Sequence, residues 1–491
     1  AWLLAVATAL GLAWLLGRPA VSAMPEPTPG WATVAQIDAF VQRRAAELRL
    51  AGLAVVVVRD QEVYYSGSYG TAGLGRPVTK DTPFVLGSTS KQFTGLAVQR
   101  LIADGRLTLD TRIGDVLPEF AQVPDARGAI TVRDLLGHTS GLSTEVGLQQ
   151  WGWRPGRPDS IDANAVELTR APMTTAPNAA YAYSNANYDL LGALIERVTG
   201  EPFADALNRL VTVPLGLKRT TAHPDATQAA DTAVGHYPWW NVATLATASP
   251  DTPGSIPSSF QVSTADDLTR LLQAHLAPTG SAQQEVLASA RRPLSTINEY
   301  AQYASGWVVR PLWEQHPLNA DPLNPALPSC VDHDGGTYRS QSYLLACPTL
   351  GFGLVSLTNT GAGADTNRWA QFQADLVHVI LGTAAPQATS NPLESYAPLV
   401  MLGSITVQAG AVILLVSSLR RRRHRLAASV AAIVVTVATL IGWWLYVPVI
   451  SGSPTPIPTL WASVPEVGLT TILTTILAAF TGIALVMYRR R

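Results

Sequence analysis

The chain has 491 residues, hydrophobic residues at 47 % of its positions and a formal net charge of −1 at pH 7, which is enough sequence for one large core or two smaller ones. The charge is uneven: residues 398–491 hold eight arginines and a single acid, for a balance of +7, and leave −8 on residues 1–397. A negatively charged main part argues against nucleic-acid binding.

The first 17 residues form an uncharged apolar run, which is followed by Arg18 and by the small-residue pattern Val21-Ser-Ala23. This order is typical of a secretory signal peptide, so we predict residues 1–23 as a signal that is cleaved after Ala23. A retained N-terminal anchor is the alternative.

The next residues predict an α/β (α+β) domain over residues 30–382. Hydrophobic periodicity indicates a helix at 33–50, strands at 53–58 and 61–69, and a mainly helical, loop-rich middle up to about residue 290. Further strands follow near 304–310, 329–334, 341–347 and 351–358, and a last helix lies at 364–381. Strands at both ends with helices between them indicate one antiparallel sheet, flanked by helices and faced by a largely helical insert.

Ser88-Thr-Ser-Lys91 opens a predicted helix that ends near Ile102. Residues three apart share a helix face, so the Lys91 amine can reach the Ser88 hydroxyl. The chain has only three lysines against 31 arginines, and a lysine, unlike an arginine, can give up its proton when it is desolvated. A helix cap beside a solvated lysine is the alternative for this pattern taken alone.

Tyr183-Ser-Asn185 precedes a second helix that ends at Thr199-Gly200. The phenol can relay protons, and the amide can bind a substrate carbonyl or Lys91. Taken alone, the pattern also fits a capping asparagine beside a packed tyrosine.

His333-Asp-Gly-Gly336 lies on a predicted strand between Cys330 and Cys347, the only cysteines. Its glycines would let a substrate backbone approach the strand edge, and a backbone N–H near Gly336 could complete an oxyanion hole with that of Ser88. A glycine hairpin with an incidental histidine is the alternative. The two cysteines are either a disulfide or two buried thiols.

The C-terminal part predicts a membrane anchor. A linker at 383–397 leads to three uncharged stretches, 398–419, 426–450 and 467–488, each long enough to span a bilayer. Arginine clusters flank them on one side, which predicts a multi-pass protein of the cell (inner) membrane with residues 24–397 on the extracytoplasmic side. We therefore expect residues 398–491 to form three transmembrane helices with the lipid bilayer as a partner.

The three motifs in this order resemble the serine β-lactamase and penicillin-binding-protein superfamily, in particular its class C β-lactamase-like branch (S12-type peptidases). The segments 130–142, 263–268 and 351–359 are similar to the same branch, so the resemblance covers residues 33–382. It implies the serine β-lactamase/D,D-peptidase fold, with Ser88 as the acylated nucleophile, Lys91 as the activating amine and Tyr183 as its proton-transfer partner. It also implies four substrate-positioning residues: Asn185, His333, Gly335 and Gly336.

Whether Lys91 or Tyr183 takes the serine's proton stays open in the sequence. No Gly-x-Ser-x-Gly, His-Glu-x-x-His or Cys/His cluster occurs, so we expect neither an α/β-hydrolase site nor a metal or other cofactor.

The expected function is serine hydrolysis through a Ser88 acyl-enzyme. The whole-chain layout is similar to that of membrane-bound prodrug-activating D-amino-acid peptidases. We therefore expect a peptidase or amidase that cleaves next to a D-amino acid, as a prodrug-cap peptidase or a D,D-carboxypeptidase does. A β-lactamase or an esterase with the same residues is one alternative, and a sensor that binds β-lactams or muropeptides without turnover is another. The sequence leaves the oligomeric state open.

Overall fold

The computed structural model describes residues 30–383, except 124–125, 152–158, 240–242, 248–251, 313–328 and 362–366, together with a few residues between 402 and 476. The predicted signal peptide at 1–23 lies outside the described residues, and so does the predicted linker apart from Thr383.

The helices and the strands are each numbered in chain order. The described helices are α1 (Val34–Glu47), α2 (Ser90–Ala103), α3 (Ile113–Val116), α4 (Pro118–Ala121), α5 (Val132–Leu136), α6 (Thr144–Trp151), α7 (Ile161–Leu168), α8 (Asn185–Thr199), α9 (Phe203–Leu207), α10 (Ala265–Leu276), α11 (Ala282–Ala290) and α12 (Asn367–Ile380). The described strands are β1 (Gly52–Arg59), β2 (Glu62–Gly73), β3 (Arg76–Pro77), β4 (Phe84–Val85), β5 (His236–Trp239), β6 (Ala243–Ala246), β7 (Val262–Ser263), β8 (Ser295–Thr296), β9 (Gln302–Tyr303), β10 (Val308–Pro311), β11 (Ser329–Gly336), β12 (Gln341–Cys347) and β13 (Phe352–Thr358).

Nine strands form one antiparallel sheet in the order β3-β2-β1-β13-β12-β11-β10-β9-β8. The early strand β1 lies between β2 and the late strand β13, so both ends of the domain build the sheet together. This confirms the predicted antiparallel sheet with a helical insert between its two halves.

Both faces of the sheet are buried, because side chains of β1 alternate between two cores. Leu53, Val55 and Val57 face a core shared with α1 and α12. Ala54, Val56 and Val58 face the larger core of the helical insert. The eight-residue strand is therefore apolar throughout except for Arg59, and its alternation cannot be read from hydrophobicity alone.

The two motif-bearing helices begin within their motifs, as the sequence predicts. Ser88 lies in a short 3₁₀ turn, Gly87–Thr89, and α2 begins at Ser90. Tyr183 precedes α8, which begins at Asn185 and ends at Gly200 in the left-handed conformation. Both functional side chains therefore lie on the turns that lead into the helices.

The membrane prediction is corrected. Among the residues that the structure describes, no helix combines the length and the apolarity needed to cross a bilayer. Most of residues 398–491 lies outside the described part. Hydropathy measures how apolar a stretch is and not whether it forms one continuous helix, and we retain neither the three-helix anchor nor the multi-pass location in the inner membrane.

Candidate active site

Lys91 lies at the centre of the site and is fully buried. Its Nζ donates to three oxygens: Ser88 Oγ at 3.2 Å, Asn185 Oδ1 at 2.7 Å and the Ser258 carbonyl at 2.9 Å. Burial lowers the pKa of Lys91 to about 7, because desolvation penalises the ammonium form. A lysine with this pKa is half neutral near pH 7 and can accept a proton.

Ser88 is the one residue between Leu86 and Lys91 that is not buried. The 3₁₀ turn holds it ahead of the helix, and the hydroxyl of its neighbour Thr89 donates back to the Leu86 carbonyl at 3.0 Å. A reagent that enters the site therefore meets the Ser88 hydroxyl first, with the Lys91 amine behind it.

The strand β11 packs directly against this turn because Gly335 has no side chain. A Cβ on Gly335 would overlap the Leu86 carbonyl oxygen and the Ser342 hydroxyl, and it would lie 3.0 Å from the Ser88 nitrogen. From the other side, a Cβ on Gly87 would overlap the Gly336 nitrogen, and Gly87 also has a positive φ of 59°. The two glycines let two backbones approach each other.

The end of β11 has a strand edge without a partner in the described structure. β10 pairs with β11 only from Ser329 to Asp332, whereas β12 pairs with it as far as Gly336. Cys330 and Cys347 face each other with Cα atoms 4.3 Å apart, which marks a non-hydrogen-bonded pair, and this pattern alternates along the ladder. The N–H of Gly336 therefore points away from β12, on the side of the Ser88 turn.

The Tyr183 ring lies against the amine of Lys91, whose Nζ is 4.9 Å from the ring centroid. Burial raises the pKa of Tyr183 well above its usual value, although a hydrogen bond with Ser88 acts in the opposite direction. The phenol is therefore a proton donor at neutral pH and lies within reach of the same hydroxyl as Lys91.

His333 lies on the side of β11 that faces the helical insert. Its Nε2 is 3.1 Å from the Tyr303 hydroxyl, and its ring centroid is 6.1 Å from that of Tyr183. Burial lowers the pKa of His333, so this imidazole is neutral at pH 7. The structure thus brings together all seven residues predicted for the site.

The structure adds two side chains to which the sequence gave no role, Tyr303 and His138. The His138 ring is 4.4 Å from Tyr183 and 4.6 Å from Tyr303, centroid to centroid, and its Nδ1 accepts from the Ser184 N–H at 3.2 Å. His138 occurs in the segment 130–142, and the resemblance of that segment to the family was the only sequence signal for this residue. The Ser258 carbonyl had no sequence signal, because every residue type has a backbone carbonyl.

Cys330 and Cys347 form a disulfide between β11 and β12. Both are buried. The structure thereby decides between the two alternatives that the sequence left open.

Comparison with known proteins agrees with this geometry. The family model described as "Beta-lactamase" matches residues 37–378. Esterase EstB of Burkholderia gladioli is 31% identical over 363 residues, which cover 66% of this chain and 90% of that protein. Penicillin-binding protein 4 of Amycolatopsis lactamdurans is 29% identical over 367 residues, which cover 70% and 89%.

The fold also matches a solved class C β-lactamase from Rhodobacter sphaeroides, with a TM-score of 0.58 and 22% identity over 70% of this chain and 98% of that one. At this identity the match shows the fold alone. The resemblance that the three motifs carry is confirmed: this chain belongs to the β-lactamase family and is a serine hydrolase of that family.

Proposed function

We propose that the protein is an acyl-transferring hydrolase in which Ser88 attacks the substrate carbonyl and forms an acyl-enzyme. The observation that carries the proposal is the position of Lys91, whose Nζ lies 3.2 Å from Ser88 Oγ and whose pKa is lowered to about 7. A neutral amine at this distance can take the serine's proton as the new C–O bond forms.

Lys91 is a better candidate than Tyr183 for this base. Burial moves the two pKa values in opposite directions, so near pH 7 the amine is half neutral while the phenol keeps its proton. Tyr183 would then donate to the leaving group and, after it has departed, help to activate water. Asn185 holds the amine in place through its 2.7 Å hydrogen bond.

The backbone around Ser88 would bind the substrate. The N–H groups of Ser88 and Gly336 would form the oxyanion hole, because the glycine contact brings the two backbones together. The edge of β11 from His333 to Gly336 would pair with an extended acyl group, as an added strand pairs with a sheet.

We propose an amide or peptide bond next to a D-amino acid as the physiological substrate, because a backbone-pairing edge suits a peptide-like acyl group. The similarity to a protein named penicillin-binding protein supports this choice. Ester hydrolysis is the second candidate, and it is favoured by 31% identity to an esterase across 90% of that protein's length. β-Lactam hydrolysis would use the same groups, and acylation without release would make the protein a sensor.

The nucleophile is tested by labelling with a fluorescent fluorophosphonate. Ser88→Ala should abolish labelling and lower turnover by about 10³-fold or more. Ser90→Ala is the matched control, because it removes a hydroxyl two residues away that accepts a hydrogen bond from the Gln261 N–H. Undiminished labelling of Ser88→Ala would exclude Ser88 as the nucleophile.

The substrate class is tested with a panel of N-acyl-D-aminoacyl amides, their L enantiomers, p-nitrophenyl esters and nitrocefin. The proposal expects D amides to be turned over faster than the L amides. Preferred turnover of esters would support the esterase, and stoichiometric labelling without turnover of any member would support the sensor.

A further inference from the structure

Asp189 is a carboxylate buried in the protein interior on the helix that carries Asn185. The two residues are four apart in α8, so they lie on the same face, and Asn185 reaches Lys91 from this face. Asp189 is 1% exposed. An ionised carboxylate is rarely buried to this degree without a partner charge, and Lys91 is the buried cation of this site.

A chain of hydrogen bonds joins Asp189 to Lys91. The Ser255 hydroxyl donates to Asp189 Oδ2 at 3.2 Å, and the Ser258 hydroxyl donates to the Ser255 carbonyl at 3.1 Å. The carbonyl of Ser258 then accepts from Lys91 Nζ at 2.9 Å. All four residues are buried, so Asp189 holds the turn that presents a carbonyl to the amine.

Two carboxylates act on Lys91 against the effect of burial. Asp189 of α8 is the larger influence and Asp334 of β11 the smaller, and each raises the pKa of Lys91. Asp334 is exposed, so water screens its charge more than that of Asp189.

The other titratable groups around Lys91 are neutral at pH 7. They are two imidazoles with lowered pKa and two phenols with raised pKa: His138, His333, Tyr183 and Tyr188. Of the two carboxyl groups that raise the pKa of Lys91, Asp189 is therefore the buried one.

We propose that Asp189 is a positioning residue of this site, which fixes the turn from Ser255 to Ser258 and balances the charge of Lys91 from within the protein. The inference rests on the proposed function, since it assigns Asp189 a role through Lys91. Asp189 itself does not touch the reacting atoms.

The charge is tested by the pH dependence of Ser88 labelling with fluorophosphonate between pH 5 and 10. Asp189→Asn removes the negative charge, so the rise in rate as Lys91 loses its proton should move to lower pH by on the order of one unit. Ser255→Ala is the matched control: it breaks the same chain of hydrogen bonds but keeps the charge, so the pH at which its labelling rate rises should equal that of the wild type, even where the rate itself is lower. An unmoved profile in Asp189→Asn, or an equal movement in Ser255→Ala, would overturn the proposal.

The pairing of Asp189 with Lys91 is also tested by thermal unfolding of three variants, a measurement that does not require enzymatic activity. Lys91→Met removes the cation and keeps the Asp189 carboxylate. Asp189→Asn removes the carboxylate and keeps the Lys91 amine, and the double variant removes both groups. The double variant should therefore unfold at a higher temperature than the two single losses added together predict. Additive losses would contradict the pairing.

The two proposals fail in different ways. If Ser88→Ala is still labelled, the proposed function fails. If Ser88→Ala is not labelled while Asp189→Asn keeps the wild-type pH profile and the unfolding losses are additive, only the role of Asp189 fails.

Discussion

At the scale of single residues, burial decides what Lys91 can do. Its amine makes three hydrogen bonds to protein oxygens, and none of those partners is a formal charge. Desolvation therefore exceeds the attraction of the nearby carboxylates, and the pKa of Lys91 falls from 10.5 to about 7. An arginine in the same place would stay charged at any pH that the protein tolerates.

We expect the rate of Ser88 acylation to rise with pH through about 7. Below this pH Lys91 is an ammonium ion and cannot accept the serine's proton; above it the amine is neutral. Lys91→Arg should lower the rate at least 100-fold and abolish the rise across pH 5–10.

The matched control for this prediction is Lys80→Arg. Lys80 is exposed, its Nζ pairs with Asp266 Oδ1 at 2.9 Å, and it has no assigned role in the site. This variant should keep the wild-type rate and pH profile. A wild-type rate that stays constant between pH 5.5 and 8.5 would show that Lys91 is not the base.

The sequence predicted the side chains of this site but not the backbone carbonyl that binds Lys91. Ser88, Lys91, Tyr183 and Asn185 were predicted because their chemistry is specific to the side chain and they lie at fixed spacing in the chain. The Ser258 carbonyl, 167 residues from Lys91, could not be predicted, because backbone groups have no sequence signature. Its position depends on how the loop before β7 folds over α2.

At the scale of elements, the site is a contact between the end of β11 and the turn that precedes α2. Neither element forms the site alone. The turn presents the Ser88 hydroxyl, and the strand edge supplies the Gly336 N–H and a surface along which an extended substrate could pair. Gly87 and Gly335 set the separation of the two backbones. The sequence predicted both elements and expected the N–H groups of Ser88 and Gly336 to meet, but it did not predict the glycine contact that sets their separation.

Gly335→Ala should destabilise the protein by about 1–3 kcal/mol, because the added Cβ overlaps the Leu86 carbonyl and the Ser342 hydroxyl. Gly336→Ala is the matched control, since a Cβ there meets no heavy atom within 4 Å. Urea unfolding of the two variants measures the difference. Equal stabilities would show that the turn and the strand are not in close contact.

At the scale of the whole molecule, the sheet joins the two ends of the domain, and a disulfide holds two of its strands together. β1 pairs with β13 across about 300 residues of chain. The helical insert closes over one face and α1 and α12 over the other. Ser88 and Gly336 meet only because the complete sheet supports both.

Loss of the disulfide should lower the free energy of unfolding by about 3 kcal/mol. The bond between Cys330 and Cys347 closes a loop of 17 residues, and a loop of this length loses about that much entropy in the unfolded chain. Urea unfolding should show this loss in the double variant Cys330→Ala/Cys347→Ala. A reductant should destabilise the wild-type protein and leave the double variant unchanged; equal sensitivity of both would contradict the prediction.

The sequence by itself determined the reaction class, the nucleophile candidate and the presence of sheet-forming strands at both ends of the domain, because side-chain chemistry and hydrophobic period are local properties. The tertiary structure decided the rest. It joined the two cysteines, aimed the Gly336 N–H at the Ser88 turn, and placed Asn185 and the Ser258 carbonyl against Lys91 in an interior where its amine can be neutral. In the part of the chain that the structure describes, no helix is long and apolar enough for the predicted membrane spans. These outcomes depend on burial and on contacts between distant parts of the chain, which no local pattern encodes.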